Sequence, residues 1–258
     1  MEAENSQFII KPSKDGSSTV FSETYQQCFH NPNGALTESL YVFFEQGKVL
    51  EKLKNKGDIC ILEIGFGTGL NAWILGEWLQ TKVTDGNARF YSVEKNPIPV
   101  DIALACGYSK VVRMPNLPGV TRNTFEKLQK NGLHHFELSH RYELSVFVGD
   151  FSEMPQPPEI PQVIFFDAFS PEKNPDLWTT EVFKKLADWS DENTLLTTYC
   201  ASSSARASMV EAGWHLAKVP GVLGKREITL AAINPELIID LPNVNRNRLL
   251  ERRLNGEI

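Results

Sequence analysis

Acidic residues stand at the ends of several apolar, strand-like runs of this sequence, and their carboxylates could bind a polar ligand. They are Glu63, Glu94, Asp150 and Asp167. In an open parallel sheet, ligands bind beside the carboxyl ends of the strands, so we expect these side chains to surround one crevice. Carboxylates accept hydrogen bonds from hydroxyl, amino and ammonium groups, which suits the crevice to a ligand that carries several of them.

The turn after the first of these runs, from Glu63 to Asn71, predicts a cofactor site. Its glycines alternate, at Gly65, Gly67 and Gly69. A glycine has no Cβ, so the backbone can lie against a ligand, and the helix that follows directs free N–H groups to the same place. The dinucleotide pattern G-x-G-x-x-G needs its third glycine where this chain has Leu70, whereas G-x-G-x-G after an acid favours S-adenosylmethionine. The same glycines also fit a turn that binds nothing.

Glu94 ends the next predicted strand, about 25 residues after the glycines, near the point where a Rossmann-type fold places a carboxylate on the ribose of its cofactor. Glu94 is therefore predicted to accept hydrogen bonds from ribose hydroxyl groups. The alternative interpretation is an ordinary strand-end charge in contact with water.

Length and composition indicate one globular α/β domain with an insertion. The chain has 258 residues, of which 41% are apolar and 22% charged, and no run approaches the ~18 apolar residues that a membrane helix needs. The acidic start, Met1–Asn5, is unlike a secretory leader, so we expect no membrane partner and a cytoplasmic location. Cysteines and histidines lack the spacing of a metal site, and no metal is expected.

The order of the predicted elements favours a Rossmann-like class I S-adenosylmethionine-dependent methyltransferase, with a mostly parallel, seven-stranded sheet, a helical insertion and a C-terminal antiparallel hairpin. Apolar runs predict strands at 59–64, 88–94, 144–148, 163–166, 194–199, 214–219 and 228–233. The predicted divisions are an N-terminal extension at 1–55 with a helix over 37–54, a methyltransferase domain at 56–235 with an inserted lid at about 97–142, and a basic tail at 236–258. Two helices, at 100–106 and 123–131, are predicted in the lid.

The net charge of −6 and the pI near 5.5 provide no general attraction for nucleic acid. Cations nevertheless cluster locally, because Lys225 and Arg226 are adjacent in the loop of the predicted hairpin. The tail holds a second basic group: Arg246, Arg248, Arg252 and Arg253. This tail fits either a solvated helix face or a phosphate contact, and the sequence leaves both open.

The loop from Asp167 to Trp178 follows a strand apolar enough to be buried, and Pro171 and Pro175 stiffen its path. A stiff loop can hold a side chain in a fixed direction. Asp167 is predicted to lie where the transferred methyl group meets its acceptor, and Phe169 to form a wall of the site. Trp178 is expected in the core.

Several motifs together resemble the methyltransferase part of the MnmC family. They are FDAFSPEKNPDLW at 166–178, the glycine turn at 65–71, EKNP at 94–97 and GVLGKRE at 221–227. The resemblance extends roughly from Phe21 to Ile233, although Glu23–Phe29 departs from the family pattern. It implies N-methylation of the aminomethyl group on the wobble uridine of certain tRNAs. The bifunctional members continue into an FAD-dependent oxidase, so the resemblance is to a stand-alone form and implies no FAD.

The resemblance also implies roles for the residues that match the family motifs. Catalysis is assigned to Asp167 and Phe169. The residues assigned to S-adenosylmethionine are Glu63 near its ammonium group, Glu94 and Lys95, Asp150 at the adenine amino group, Phe151, Asp167, and Gly65, Gly67, Gly69 and Asn71 of the turn. Contacts to the tRNA substrate are assigned to Lys173, Asn174, Lys225 and Arg226.

Two other functions stay open at this point. An aminopropyltransferase has a related fold with acidic strand ends, and it would act on a small amine rather than on RNA. A protein that keeps the fold only to bind RNA or another protein would have no ligand to offset the repulsion among clustered acids, which makes it a weaker hypothesis. The sequence favours no particular oligomeric state.

Overall fold

The computed structural model describes residues 7–83 and 85–258. The acidic start of the chain, Met1–Asn5, on which the prediction about a secretory leader depends, lies outside these residues. Among the described residues, no helix is both long enough and apolar enough to cross a membrane.

The elements are numbered here in chain order. The strands are β1 (Phe8–Pro12), β2 (Ser18–Ser22), β3 (Gln27–Cys28), β4 (Ile59–Ile64), β5 (Ala88–Glu94), β6 (Gly132–Ser139), β7 (Tyr142–Val148), β8 (Val163–Phe166), β9 (Leu195–Thr198), β10 (His215–Pro220) and β11 (Glu227–Ala232). The α-helices are α1 (Ala35–Ser39), α2 (Val49–Lys56), α3 (Leu70–Thr81), α4 (Val100–Ala105), α5 (Leu117–Leu128), α6 (Thr180–Asp188), α7 (Ser203–Glu211) and α8 (Arg246–Leu254).

The main sheet confirms the predicted fold class. Its strand order is β10-β11-β9-β8-β4-β5-β7-β6. The strands from β9 to β7 in this order run parallel, whereas β11 is antiparallel to both β9 and β10, and β6 is antiparallel to β7. The sheet is therefore mostly parallel and ends in the predicted hairpin, but it has eight strands rather than seven because β6 is added at one edge.

The strand order reverses direction at β4. The chain passes from β4 to β5 and β7 on one side, and it later returns to β8 and β9 on the other side. Connections that leave in opposite directions open a crevice beside the carboxyl ends of the two central strands. Ile64, Glu94, Val148 and Phe166 end their strands at this edge, which brings the predicted acidic positions to one place.

The N-terminal extension contains more structure than predicted. β1, β2 and β3 form a small antiparallel sheet. The single helix predicted over 37–54 is divided into α1, a π-helical stretch at Leu40–Glu45, and α2. The break falls at Gly47, where a Cβ would lie 2.2 Å from the Phe43 carbonyl oxygen, and at Lys48, whose φ is +53°. An α-helix cannot continue through a left-handed residue.

The predicted lid is only partly helical. α4 agrees with the prediction, whereas α5 begins at Leu117 rather than 123, with Pro118 in its first turn. Proline is tolerated there because the first N–H groups of a helix have no intrahelical partner. Residues 132–139 form β6, in which exposed side chains alternate with more buried ones around Phe136. That alternation is typical of an edge strand with one face on the protein.

Apolar side chains pack against both faces of the sheet. One face carries Trp73 of α3, and the other carries Trp178 and Trp214, all of which are buried. The two aromatic residues that end β8, Phe165 and Phe166, project to opposite faces. Packing on both sides fixes the end of β8, and so it fixes the start of the loop that carries Asp167.

Candidate active site

A cavity of about 510 Å³ lies at the carboxyl ends of the central strands, within the usual range for small-ligand sites. The predicted residues that line it are Gly65, Gly67, Glu94, Lys95, Asp150, Phe151, Asp167, Phe169 and Asn174. The predicted residues outside its lining are Glu63, Gly69, Asn71, Lys173, Lys225 and Arg226. The lining also includes residues that the sequence did not single out, among them Tyr25, Phe29, Ser152 and Lys185.

Gly65 and Gly67 bring bare backbone to the cavity wall. A Cβ on Gly65, whose φ is +100°, would lie 2.8 Å from a backbone oxygen of the loop after β8. A Cβ on Gly67, whose φ is +53°, would lie 3.0 Å from the Phe29 ring. A Cβ on Gly69 would instead meet Trp73 inside the protein. The first two glycines therefore face the ligand space, and the third allows α3 to begin.

Glu94 is the last residue of β5 and holds the glycine turn. Its Oε2 accepts a hydrogen bond from the Gly67 N–H at 2.9 Å, and its Oε1 accepts one from the Asn96 N–H at 2.9 Å. Burial raises the pKa of Glu94, and the hydrogen bonds from the Asn96 and Gly67 amides oppose that rise. The carboxyl group lines the cavity and has lone pairs left for hydroxyl groups of a ligand.

Asp150 lines the cavity after β7. Its Oδ2 accepts a hydrogen bond from Lys95 Nζ at 2.9 Å, and its Oδ1 accepts from the backbone N–H and the hydroxyl of Ser152, at 2.9 and 2.7 Å. The hydrogen bond from Lys95, together with those from Ser152, lowers the pKa of Asp150 to about 2. Asp150 is therefore ionised at neutral pH, next to the ring of Phe151, where an amino group of a ligand could donate to it.

Lys185 supports this turn from α6. Its ammonium donates to the carbonyl oxygens of Phe151 and Ser152, both at 2.8 Å. Burial lowers the pKa of Lys185, and the negative charge of Asp150 opposes that effect. Nothing in the sequence near Lys185 indicated this contact, because Phe151 lies 34 positions earlier in the chain.

Glu63 and Asp167 share one amide group beneath the cavity. Asn71 Nδ2 donates to Glu63 Oε1 at 2.9 Å and to Asp167 Oδ2 at 3.3 Å, and the Ser92 hydroxyl donates to Glu63 Oε2 at 2.7 Å. Burial raises the pKa of Glu63 to about 8, although the hydrogen bonds from Ser92 and Asn71 oppose it. Burial also raises the pKa of Asp167 well above its usual range, and the charges of Glu63 and Glu38 add to the rise.

We expect Glu63→Gln to flatten the dependence of stability on pH. Between the ordinary pKa of 4.5 and the folded value of about 8, the folded protein keeps a proton on Glu63 that the unfolded chain releases. The free energy of unfolding should therefore fall as the pH rises through this window, by roughly 1.4 kcal/mol per pH unit for one proton. Urea unfolding at several pH values measures the slope. The variant should lose about one proton's share.

The exposed residue Glu192 provides the control for this measurement. Glu192→Gln should leave the slope as it is in the parent. If Glu63→Gln also left the slope unchanged, Glu63 would not hold the extra proton.

Phe169 forms an aromatic wall with two residues of the N-terminal extension. Its ring stacks on Tyr25 at a centroid distance of 4.3 Å, and it meets the Phe29 ring edge-on at 4.9 Å. Gln27 Oε1 accepts hydrogen bonds from the Ser170 N–H at 3.3 Å and the Ser170 hydroxyl at 2.8 Å. The N-terminal segment thus holds the loop after β8 and closes one side of the cavity. The available signal in the sequence was a pair of aromatic residues within a polar stretch.

The residues predicted to contact the substrate have different surroundings. Asn174 lines the cavity, and its neighbour Lys173 is exposed. Arg226 is exposed in the loop between β10 and β11. Lys225, in the same loop, instead lies with its Nζ 2.7 Å from Glu38 Oε1. The two adjacent cations of the loop therefore face in different directions.

The basic tail packs along α7. Leu249 is buried, Arg246 donates a hydrogen bond to the Val210 carbonyl at 3.0 Å, and Arg253 donates to Ser208 Oγ at 2.9 Å. Both arginines make contacts that fix α8 to the protein. These contacts account for part of the basic character of the tail without RNA.

The cavity fits S-adenosylmethionine. Two glycines admit close backbone approach, and carboxyl groups at Glu94 and Asp150 supply acceptors beside different strand ends. A ligand with both ribose hydroxyl groups and an adenine amino group can use both acceptors. Within residues 7–83 and 85–258, no group of three or more His, Cys, Asp or Glu side chains could hold a metal ion.

Residues 120–234 match the sequence model of a family described as S-adenosyl-L-methionine-dependent methyltransferase. Together, the fold and the site define a Rossmann-like class I methyltransferase that uses S-adenosylmethionine, as the sequence predicts. Within this class, the chain is similar to the methyltransferase part of MnmC, which confirms the resemblance inferred from the motifs.

The similarity to MnmC proteins extends over most of this chain. It is 34% identical over 221 residues to the tRNA 5-methylaminomethyl-2-thiouridine biosynthesis bifunctional protein MnmC of Pseudomonas putida strain W619, covering 80% of this chain and 32% of the relative. The protein of the same name from Ralstonia nicotianae is 31% identical over 229 residues, covering 87% and 34%. The chain thus spans about a third of the length of these curated relatives. The crystal structure of MNMC2 from Aquifex aeolicus matches with a TM-score of 0.72 at 26% identity, over 96% of this chain and 75% of that one.

Proposed function

We propose that the protein methylates the amine nitrogen of 5-aminomethyl-(2-thio)uridine at the wobble position of tRNA, giving 5-methylaminomethyl-(2-thio)uridine. The similarity to proteins named for the biosynthesis of that nucleoside supports the substrate. The observation that carries the proposal is the position of Asp167, which lies on the cavity wall between the donor-binding strand ends and the aromatic wall. Such an activity belongs in the cytoplasm, where tRNA is available.

The geometry supports one orientation of the donor in the cavity. Gly65 and Gly67 would face its methionine end, with the buried carboxyl of Glu63 nearby. Glu94 would accept hydrogen bonds from both ribose hydroxyl groups, and Asp150 would accept one from the adenine amino group. When bound, S-adenosylmethionine supplies a methyl group on a positively charged sulfur. This orientation would direct that group towards Asp167.

The acceptor amine must lose its own proton before its lone pair can attack. An alkylamine with a pKa near 10 is neutral in only about one molecule per thousand at pH 7. Burial against Phe169 favours the neutral amine, whereas an ionised Asp167 favours the ammonium. We assign Asp167 chiefly to orienting the amine through a hydrogen bond, and secondly to accepting its proton. The raised pKa of Asp167 is compatible with accepting a proton at neutral pH.

Glu94→Ala is expected to weaken the binding of S-adenosylmethionine by about 10–100-fold, because hydrogen bonds to a charged acceptor are lost. Isothermal titration calorimetry measures the affinity directly. Glu94 also holds the Gly67 amide, so Glu94→Gln, which keeps an acceptor oxygen, should give an intermediate affinity. Glu153→Ala, at an exposed acid outside the cavity lining, is the control. Binding by Glu94→Ala as tight as that of the parent would remove Glu94 from the ribose site.

The proposed reaction can be tested with purified components. The protein is incubated with labelled S-adenosylmethionine and with tRNA from cells that lack the final wobble methylation, and the digested nucleosides are analysed by mass spectrometry. We expect the aminomethyluridine peak to decrease and a species heavier by one methyl group to appear. Donor binding without any gain of methyl on this nucleoside would contradict the proposed substrate while leaving the class of enzyme intact.

A further inference from the structure

The loop between β10 and β11 is packed against the N-terminal part of the protein. The Tyr41 hydroxyl donates to the Pro220 carbonyl at 2.7 Å. A Cβ on Gly34 would lie 3.0 Å from the Leu223 side chain, so the middle of the loop rests on the start of α1. Lys225 is therefore carried inward by a loop with contacts at both its beginning and its middle.

The Lys225 ammonium is engaged by two groups of the protein. It lies 2.7 Å from Glu38 Oε1 and 4.0 Å from the centroid of the Tyr199 ring. Glu38 is 6% exposed, and its Oε2 accepts a hydrogen bond from the Asn31 N–H at 2.9 Å. A buried carboxylate that loses its cation is strongly unfavourable, and the aromatic face adds a further attraction. An RNA phosphate would have to replace both partners to bind Lys225.

Tyr199 connects this ion pair to the catalytic loop. Its hydroxyl donates a hydrogen bond to the Ala168 carbonyl at 2.7 Å, one residue after Asp167. The Tyr199 ring thus has the loop at its hydroxyl end and the Lys225 ammonium on its face. The position of Lys225 and the position of Asp167 are linked through one side chain.

The ionisable groups that act on Asp167 come from several elements. They are Glu63 from β4, Glu38 from α1, Lys225 from the β10–β11 loop and Tyr199 from the end of β9. Burial, Glu63 and Glu38 raise the pKa of Asp167, whereas Lys225 lowers it. The Asn71 amide also lowers it by a hydrogen bond. Lys225 is thus a cation that opposes the two neighbouring acids.

We infer that Lys225 is a positioning residue for Asp167, and that its charge keeps more of the Asp167 carboxyl in the ionised form in which it can hold the acceptor amine. This changes the interpretation of the KR pair at 225–226: Arg226 remains a candidate for RNA phosphate, and Lys225 acts within the site. The catalytic meaning rests on the proposed function, whereas the effect on Asp167 can be measured without donor or RNA.

The experiment follows the ionisation of Asp167 by NMR in full-length protein labelled with ¹³C at aspartate carboxyl groups, with Asp167→Asn identifying the signal. In Lys225→Met, whose apolar chain can still pack on Tyr199, the midpoint of Asp167 should move up by about one pH unit. Glu38→Gln should move it down. The double variant removes both charges, so its midpoint should return close to that of the parent, and this pair of outcomes remains informative if Lys225→Met alone folds poorly.

Arg226→Met is the matched control in the same loop. It should leave the Asp167 midpoint unchanged, and it should weaken tRNA binding with a shallower salt dependence, whereas Lys225→Met with Glu38→Gln should keep the salt dependence of the parent. An unchanged midpoint in Lys225→Met, or a midpoint that fails to return in the double variant, would overturn the inference. If the midpoints move as expected but the parent does not methylate tRNA, the proposed function fails and the link between Lys225 and Asp167 stands.

Discussion

Asp167→Asn is expected to lower the rate of methyl transfer at saturating substrate by about 10²–10⁴-fold, the range usually lost with a group that handles a proton in the transition state. Asparagine has nearly the same shape and can still contact Asn71, so the cavity should keep its form. It cannot accept a proton, and its amide favours neither a charged nor an oriented amine to the same extent. The expected loss is therefore in turnover.

Two measurements separate this loss from a loss of donor binding. Calorimetry should give an affinity for S-adenosylmethionine within about threefold of the parent, because the groups proposed to bind ribose and adenine are intact. Asp188→Asn, at an exposed acid at the end of α6, controls for the general effect of an Asp-to-Asn change. Turnover by Asp167→Asn close to that of the parent would remove Asp167 from catalysis.

Gly65→Ala is expected to reduce the affinity for S-adenosylmethionine by at least about 100-fold, since a displacement of about 1 Å at a site can cost that much. The new Cβ would lie 2.8 Å from the carbonyl oxygen of Asp167, which is backbone and cannot rotate away. The end of β4 and the start of the loop after β8 would have to separate, which would alter both the glycine wall and the position of Asp167.

Gly213→Ala is the matched control for this change. Its φ is +97°, close to the +100° of Gly65, but a Cβ there meets nothing within 4 Å. Both variants should lose stability from the left-handed backbone, by roughly 1–2 kcal/mol, and only Gly65→Ala should also lose the donor. Equal donor affinity in the two variants, measured by calorimetry, would show that close backbone approach at Gly65 is not needed.

The strand ends that surround the cavity could be predicted because their signals are local. A buried parallel strand is a short apolar run, and the residue after it needs no partner from elsewhere to be recognised. Gly65, Glu94, Asp150 and Asp167 were found in this way, and the alternation of strands with helices indicated the sheet that brings them together.

The contacts that were missed join distant parts of the chain. The stacking of Tyr25 on Phe169 depends on how the N-terminal sheet docks, which no local pattern encodes. The inward direction of Lys225 depends on Glu38, which lies 187 positions earlier. β6 was missed because a polar edge strand has few apolar residues to reveal its period, and its pairing with β7 decides its conformation.

The central claim is that the crevice at the strand ends holds S-adenosylmethionine with its methyl group facing Asp167. A crystal structure of the protein with S-adenosylmethionine tests it most directly. We predict that both ribose hydroxyl groups lie within hydrogen-bond distance of the Glu94 carboxyl, that the adenine lies beside Asp150 and Phe151, and that the methyl carbon faces Asp167. Density for the donor at another position, or in this cavity with the methyl group turned away from Asp167, would contradict the account.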